Sequence, residues 1–511
     1  MNAAGDFPRF ENSPGWIESG AVLLQILYKF PLVFRPEIRI MKCQTNGGEE
    51  NMGTTGAPLQ RRGKENDILA LSGPIFVELL LQLLVGNVDQ IMVGWHDPNG
   101  VGAIGNANQV TSLLLLVFSV VSTASMILIS QYIGAKDTKR VGETYAASLA
   151  MNFAFGIAVS LVLIAGCGPI LRLMGVHEEI FHKACVYMQI VGAGMVFQSL
   201  YLTFTAFFRS SQLMRDTMAV SLVMNGINIL GNVLLIGGPF GLPAFGVAGA
   251  ALSSTISRLI GLLIMGTLFA KKFGFSQVRD SLSPFPWMQL KKLLRIGLPA
   301  GGESVSYNLS QVCIQTICNR FAAFVVNTRV YAAMFANVTY LCACAMAQAC
   351  QVVAARLMGA GDTEGTERSV GRTLALSAAA SGAVSILLYL FCEPVYSLFT
   401  SDPQVIALAK TIMLLEIPLE LGRAVNMTMC RVLQACGDIQ FPIALCVIFA
   451  WLFGVGGGYA LSMLCGWGLA GLWAAMAADE VTRAALFLWR WKKGIWKEKC
   501  LLGGERSEPE E

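Results

Sequence analysis

Runs of about twenty apolar residues recur along this chain from Asp67 to Arg490, separated by short polar connections. A hydrocarbon layer ~30 Å thick is crossed by about 20 helical residues at ~1.5 Å each. The runs fall at 67–94, 108–133, 145–171, 184–208, 217–238, 246–270, 293–319, 330–355, 373–392, 405–430, 440–464 and 467–489. The Gly, Pro and Asn within them are tolerated in lipid where neighbouring helices satisfy the freed backbone groups. The pattern therefore predicts an all-α membrane protein with twelve transmembrane helices.

The pattern also repeats. Pro74 and Pro299, Glu78 and Glu303, the segments GAKDT and GAGDT beginning at Gly134 and Gly359, and Pro169 and Pro394 all stand 225 residues apart. Further on, Arg209 and Arg431, Gln212 and Gln434, Asp216 and Asp438, and GVAGAA and GLAGLW stand 222 apart. Two constant offsets held over so much of the chain mark a duplication. Each half has six spans, an even number, so both halves enter the membrane from the same side. The repeat is then parallel, with its axis along the membrane normal. The predicted organisation is an N-lobe at 67–270, a linker at 271–292, a C-lobe at 293–490 and a tail at 491–511. Two facing bundles with a cleft between them suit alternating access. Residues 1–66 lack a signal-peptide layout; they read as a disordered extension or as a mis-assigned start, with Met41 or Met52 as the alternative first residue.

Composition agrees with this picture. The 511 residues are 54% hydrophobic and 14% charged, with mean hydropathy +0.58, whereas a soluble domain is roughly a quarter charged. Fourteen Lys and Arg fall in the even-numbered connections and four in the odd-numbered ones, namely Arg172, Lys183, Arg320 and Arg329. The positive-inside rule then puts the even connections and both termini in the cytoplasm, in a plasma (inner) membrane. Basic stretches become topology signals, so no nucleic-acid partner is expected. Twelve of the fourteen cysteines lie in or beside spans without paired CxxC spacing, and they read as small apolar residues.

Ionisable groups inside a span are expensive and usually line a cavity. Span one carries Glu78, Gln82 and Asp89 on one stripe, and span five carries Asn225, Asn228 and Asn232. Span seven places Glu303, Tyr307 and Gln311 on one face; span ten carries Glu416, Glu420 and Arg423, with the last two spaced to pair. Asp479 and Glu480 in span twelve read as structural. Carboxylates in a partly dry cavity are stabilised when a proton or a cation neutralises them. Walker, GxSxG and HExxH sequences are absent, and His96, His177 and His182 fall in predicted outer loops. A secondary transporter driven by an ion gradient is expected, with no catalytic residues and no cofactor beyond Na+ or H+.

The motifs VDQIMVG ending in Gly94, QYIGAKD at 131–137, GLPAFGVAGAALSS at 241–254, RIGLPAGGE at 295–303, LMGAGDT at 357–363 and LQACGDIQFP at 433–442 resemble the multidrug and toxic compound extrusion (MATE) family. The segments GESVSYNLSQ, LELGRAVN and DEVTRA are similar to a less-studied subgroup of it. The resemblance implies export of amphipathic, cationic compounds in exchange for Na+ or H+. Asp89 matches the family's acidic coupling residue of span one. Where one branch has Asn and Asp in span five, this chain has Asn228 and Asn232. Where another has Glu eight residues after the span-seven proline, it has Tyr307, with Glu303 one turn earlier. The expected cation-coupling set is Asp89, Glu78, Asn228 and Asn232. The expected substrate or second coupling set is Glu303, Tyr307, Gln311, Glu420 and Arg423, with no metal beyond Na+. The alternative is a flippase of a lipid-linked oligosaccharide in the same broad superfamily; a membrane-embedded enzyme would need a catalytic constellation that the spans lack. A monomer acting on small molecules in lipid is expected.

Overall fold

The computed structural model describes residues 68–238, 243–397 and 399–502; the extension 1–66 lies outside the described residues. Every regular element among them is helical. In chain order the long helices are α1 (Ile68–Gly94), α2 (Pro98–Gly134), α3 (Thr138–Leu173), α4 (Glu178–Ala193 and Met195–Ser210), α5 (Met214–Ile236), α6 (Gly246–Lys272), α7 (Trp287–Cys318), α8 (Ala323–Gly359), α9 (Thr363–Leu390), α10 (Pro403–Ala435), α11 (Gln440–Leu464) and α12 (Gly468–Lys492). Eight of these are long and apolar enough to cross a membrane on their own, and the two halves of α4, bent by 45° at Gly194, make a ninth. The other three are too polar for that measure: α10 and α12 carry the buried acids and arginines described below, and α7 carries a run of Ser, Asn, Gln and Gly beside Glu303. These twelve helices form two six-helix lobes, α1–α6 and α7–α12.

Several helices outrun the predicted spans. α2 and α8 are each 37 residues long, about 55 Å at ~1.5 Å per residue, well beyond the hydrocarbon thickness. Their polar ends were predicted as connections because the hydrophobic pattern fades before the helix does. Prolines 74, 169, 299 and 418 lie inside helices, as lipid-embedded helices allow.

The repeated GAKDT and GAGDT segments are explained by local geometry. A Cβ on Gly134 would lie 2.0 Å from the Arg356 carbonyl oxygen, and one on Gly359 would lie 1.9 Å from that of Gln131. Gln131 and Arg356 are themselves 225 apart. The contact is thus reciprocal, as it must be where a two-fold axis passes between α2 and α8. Lys136 and Gly361 then take left-handed backbone at φ 62° and 78°. Asp137 and Asp362 follow as N-caps, accepting from the backbone N–H of Arg140 at 3.0 Å and Gly365 at 2.7 Å, the usual use of Asp at a helix start.

The structure corrects the second offset. α4 and α10 end at Ser210 and Ala435, followed by left-handed residues Gln212 and Gly437, still 225 apart. Only α6 and α12, beginning at Gly246 and Gly468, are 222 apart. The three-residue difference therefore falls across α5 and α11, so Arg209 is matched in space by Gln434 and not by Arg431. α11 is also wound differently, with wide π-helical turns at Ala450–Gly457 and Ala460–Leu464.

Where the apolar core lies shows how the lobes meet. At the end carrying the even-numbered connections, two buried clusters each draw from both lobes: one joins Met126, Ala206 and Met214 to Cys350, Met358 and Leu433, and the other joins Tyr132, Phe207 and Phe269 to Leu293, Ile296 and Ile443. At the opposite end the clusters are separate. One is built from Val93, Ile104, Leu163 and Val247, the other from Ile314, Val325, Met413 and Leu472. The lobes are joined at one end and part at the other, leaving a cleft. The predicted tail also packs: Trp496 is fully buried, stacked on Trp491 with ring centroids 4.0 Å apart. Cys500 Sγ lies 3.8 Å from Gln131 Oε1 and 3.9 Å from Met358 O, against both lobes at the seam.

Candidate functional site

Each lobe holds a buried polar cluster where an apolar helix pattern is interrupted. In the N-lobe α1, α5 and α6 converge on Asp89. Asn232 Nδ2 donates to Asp89 Oδ1 at 2.5 Å and Ser254 Oγ donates to Oδ2 at 3.1 Å. Asn228 Nδ2 donates to Ser254 Oγ at 3.0 Å, and Ser253 Oγ holds the Asn228 carbonyl at 2.7 Å. The side-chain oxygens of Asn228 and Asn232 are buried and have no hydrogen-bond partner among the described residues. The buried carboxylate and the two orphaned amide oxygens are polar groups whose burial asks for a functional reason, and Na+ or a proton at Asp89 would supply one. Arg258 and Tyr187 lie near enough for their charges to act on the same carboxylate. Tyr187 Oη donates to Asn108 Oδ1 at 3.3 Å.

Asp89, Asn228 and Asn232 thus come together, as the family resemblance implied; Glu78 does not join them. Eleven residues earlier on α1, about 16 Å at ~1.5 Å per residue, Glu78 is buried against Arg209 Nη2 at 2.8 Å and accepts from Thr217 Oγ1 at 3.4 Å. Gln82, placed by the sequence on the same stripe, is exposed. Arg209 also bridges the lobes by donating to Gln348 Oε1 on α8 at 2.8 Å. Arg209 and Arg431, which the charge pattern assigned to connections, in fact lie within α4 and α10.

In the C-lobe Glu303 is half-buried and takes an amide N–H from Gln434 at 3.5 Å, where its repeat mate Glu78 takes a guanidinium. A turn beyond, Tyr307, Gln311 and Arg423 line a small cleft with Asp479, Glu480 and the π-helical residues Ala450 and Gly454. Wide helical turns are common at functional positions. Behind this wall the charges are tightly paired. Arg423 contacts Glu420 closely and reaches Glu480 Oε1 at 3.6 Å. Arg483 grips both oxygens of Asp479 at 2.8 and 2.6 Å and reaches Glu480 Oε1 at 3.2 Å. Asn426 Nδ2 donates to Glu480 Oε2 at 2.5 Å, and Trp473 Nε1 donates to Glu416 Oε2 at 2.5 Å. Four carboxylates, Glu416, Glu420, Asp479 and Glu480, share two guanidiniums, so full ionisation leaves a formal −2 in a dry site. Glu420 Oε2 is buried with no partner among the described residues. Asp479 and Glu480, read from sequence as structural, are walls of this cleft.

Sequence reasoning missed Ser254, Tyr187 and Arg258 in the N-lobe. Arg258 was readable, since it interrupts the apolar run 246–270. Tyr187 was not, because it reaches Asp89 from a neighbouring helix.

Twelve membrane-crossing helices in two parallel, repeated lobes, each holding a buried polar cluster, define a membrane transporter. The family model MatE matches residues 74–234 and 299–460, one copy per lobe, and the chain belongs to the MATE family of transporters. It is 33% identical over 436 residues to the uncharacterized transporter YisQ of Bacillus subtilis, covering 85% of this chain and 96% of that protein. It is 26% identical over 445 residues to the probable multidrug resistance protein NorM of Thermotoga maritima, covering 86% and 95%. Its fold matches a solved structure of the outward-facing conformation of a multidrug resistance MATE family transporter of the MOP superfamily, with TM-score 0.77, 21% identity and coverage of 85% and 97%.

Proposed function

We propose that this protein is a cation-coupled antiporter that exports amphipathic, cationic compounds from the cell by alternating access. The observation that carries the reading is the Asp89 site, where a buried carboxylate is held by Asn232 and Ser254 and the side-chain oxygens of Asn228 and Asn232 are left buried without partners. Binding Na+ or H+ there stabilises one conformation over the other, which is how an ion gradient does work on cargo. Multidrug resistance, the activity in the printed name of the NorM relative, supports a wide range of cargo. The orientation that fits is the one with both termini cytoplasmic, which turns the open end of the cleft outward. The protein acts as a monomer, with lipid and small molecules as its only partners.

A second coupling group is supported by the C-lobe cluster, whose excess of carboxylates over guanidiniums is relieved by one or two protons. The same arithmetic argues against a lipid-linked oligosaccharide as cargo. Phosphate recognition needs free cations, whereas Arg423 and Arg483 are already committed to Glu420, Asp479 and Glu480.

The test is efflux of a fluorescent cationic dye from everted vesicles under imposed Na+ or pH gradients, with Asp89→Asn and Glu420→Gln alongside. Gradient-driven efflux that disappears in Asp89→Asn supports the reading, and the gradient that works names the ion. No dye movement under either gradient, at verified membrane expression, overturns it.

A further inference from the structure

Glu303, Cys430 and Cys446 come from three helices, α7, α10 and α11, and their carboxylate and thiol atoms all lie within 4.8 Å of one another. Cys430 Sγ stands 4.0 Å from Glu303 Oε1. Two sulfurs and a carboxylate oxygen are three of the four ligands of a tetrahedral Zn2+ or Cd2+ site, in which ligand atoms stand about 3.5–4 Å apart given metal–ligand bonds of ~2.0–2.3 Å. The present spacing lies within about an ångström of that geometry.

The surroundings suit the charge such a site carries. Gln434 Nε2 donates to both Cys430 Sγ at 3.4 Å and Glu303 Oε2 at 3.5 Å, orienting two of the three ligands. Arg483 Nη1 lies 3.7 Å from Cys446 Sγ, so a guanidinium borders the ligand set while staying paired to Asp479 and Glu480. Cys430 and Cys446 are buried while Glu303 is only half-buried, so Glu303 is the exposed member of the cluster. In the N-lobe the residues 225 earlier are Thr205 and Ser221, hydroxyls in place of thiols, so the arrangement belongs to one lobe only.

We propose that Glu303, Cys430 and Cys446 form a binding site for one thiophilic divalent cation of the Zn2+ or Cd2+ class. Thiolate ligands select such ions over Na+, Mg2+ and Ca2+. The two thiol protons leave to solvent as the metal–sulfur bonds form, so binding tightens as pH rises. An occupied site ties α7 to α10 and α11 within the C-lobe. The proposal does not depend on which ion or cargo the transporter moves.

The experiment titrates Cd2+ alone into the purified full-length chain in lipid nanodiscs, followed by its ultraviolet thiolate charge-transfer band. One saturable equivalent per chain is expected, displaced by Zn2+ and indifferent to excess Na+. Cys430→Ser and Cys446→Ser should each weaken binding by roughly tenfold or more, given that even outer-shell changes cost about 10–100-fold. X-ray absorption on the unsubstituted chain with one Cd2+ should show two sulfur neighbours with the remainder oxygen. The proposal is overturned by an unsubstituted chain without a saturable band, by a coordination shell without two sulfurs, or by serine variants that bind as the unsubstituted chain does. The absorption measurement needs no variant, so a substitution that fails to fold does not blunt the test.

Discussion

Glu78 and Glu303 are the same carboxylate in two copies of one lobe, and their partners set them apart. Arg209 neutralises Glu78 in a buried pair at 2.8 Å, whereas Glu303 faces an amide. Removing one member of a buried ion pair leaves an uncompensated charge and costs about 3–5 kcal/mol. Glu78→Gln should therefore lower thermal stability markedly, while Glu303→Gln, an amide facing an amide, should leave it nearly unchanged. Melting curves in detergent decide this, and equal losses in the two variants would contradict the assignment. Asn232→Ala strips the amide from Asp89 while keeping the carboxylate, so affinity for the coupling ion should fall about 10–100-fold in an ion-dependent melting assay, with little loss of fold. Much of this site was legible: a carboxylate, an i, i+4 asparagine pair and an acidic second lobe all stand out against an apolar background. What was not legible depends on contacts between helices, as with Tyr187 at Asp89 or the gathering of Asp479 and Glu480 with Glu420 through Arg423 and Arg483. No spacing along one helix encodes those meetings.

Among the elements, the connection between α10 and α11 has a defined pH response. Asp438 is buried there against Arg490 at 2.8 Å and Lys499 at 2.7 Å. Burial pushes its carboxyl up, but the Arg490 and Lys499 contacts outweigh burial and hold it below the usual carboxylate range. With its folded value depressed, the stabilisation is complete above ~3.9, the unfolded value, and is lost as pH falls through the folded value. Asp438→Asn should remove it at neutral pH, at a cost of about 3 kcal/mol, and should release the segment around Lys499. Limited proteolysis of the C-terminal segment reads this out, and a variant as resistant as the unsubstituted chain would refute it. The α2–α8 crossing makes a harder demand. Gly359→Ala places a methyl group where the Gln131 carbonyl already lies, and overpacking of this kind costs about 1–3 kcal/mol or more. The expected result is a lower melting point without loss of membrane insertion. The sequence offered GAGDT as a repeat and a family likeness; that its first glycine is a contact point, its second a left-handed turn and its aspartate a cap emerges only from the backbone. The shift of the three-residue offset into α5 and α11 was equally hidden, since aligned letters do not report which turn is wound wide.

For the molecule as a whole, the cores join both lobes at one end and separate at the other. Which end faces out is tested with a native probe. Cys465 is exposed in the connection between α11 and α12, an odd-numbered loop that the Lys and Arg pattern places outside. A membrane-impermeant maleimide should label it in intact cells as fully as it does after lysis. Protection of Cys465 until lysis would reverse the orientation.

The reciprocal contact of Gly134 and Gly359 bears on how such a molecule came to exist. If the two halves began as separate six-helix chains, the crossing of α2 and α8 was an isologous homodimer interface, with one glycine facing its own copy across the axis. Every substitution there then acted twice, on both sides at once, which confines such a surface to residues compatible with themselves. Fusion into one chain lifted that constraint. Gln131 could then diverge from Arg356, Lys136 from Gly361, and the partner of Glu78 from that of Glu303, so that one half keeps an ion pair where the other holds an amide and two thiols.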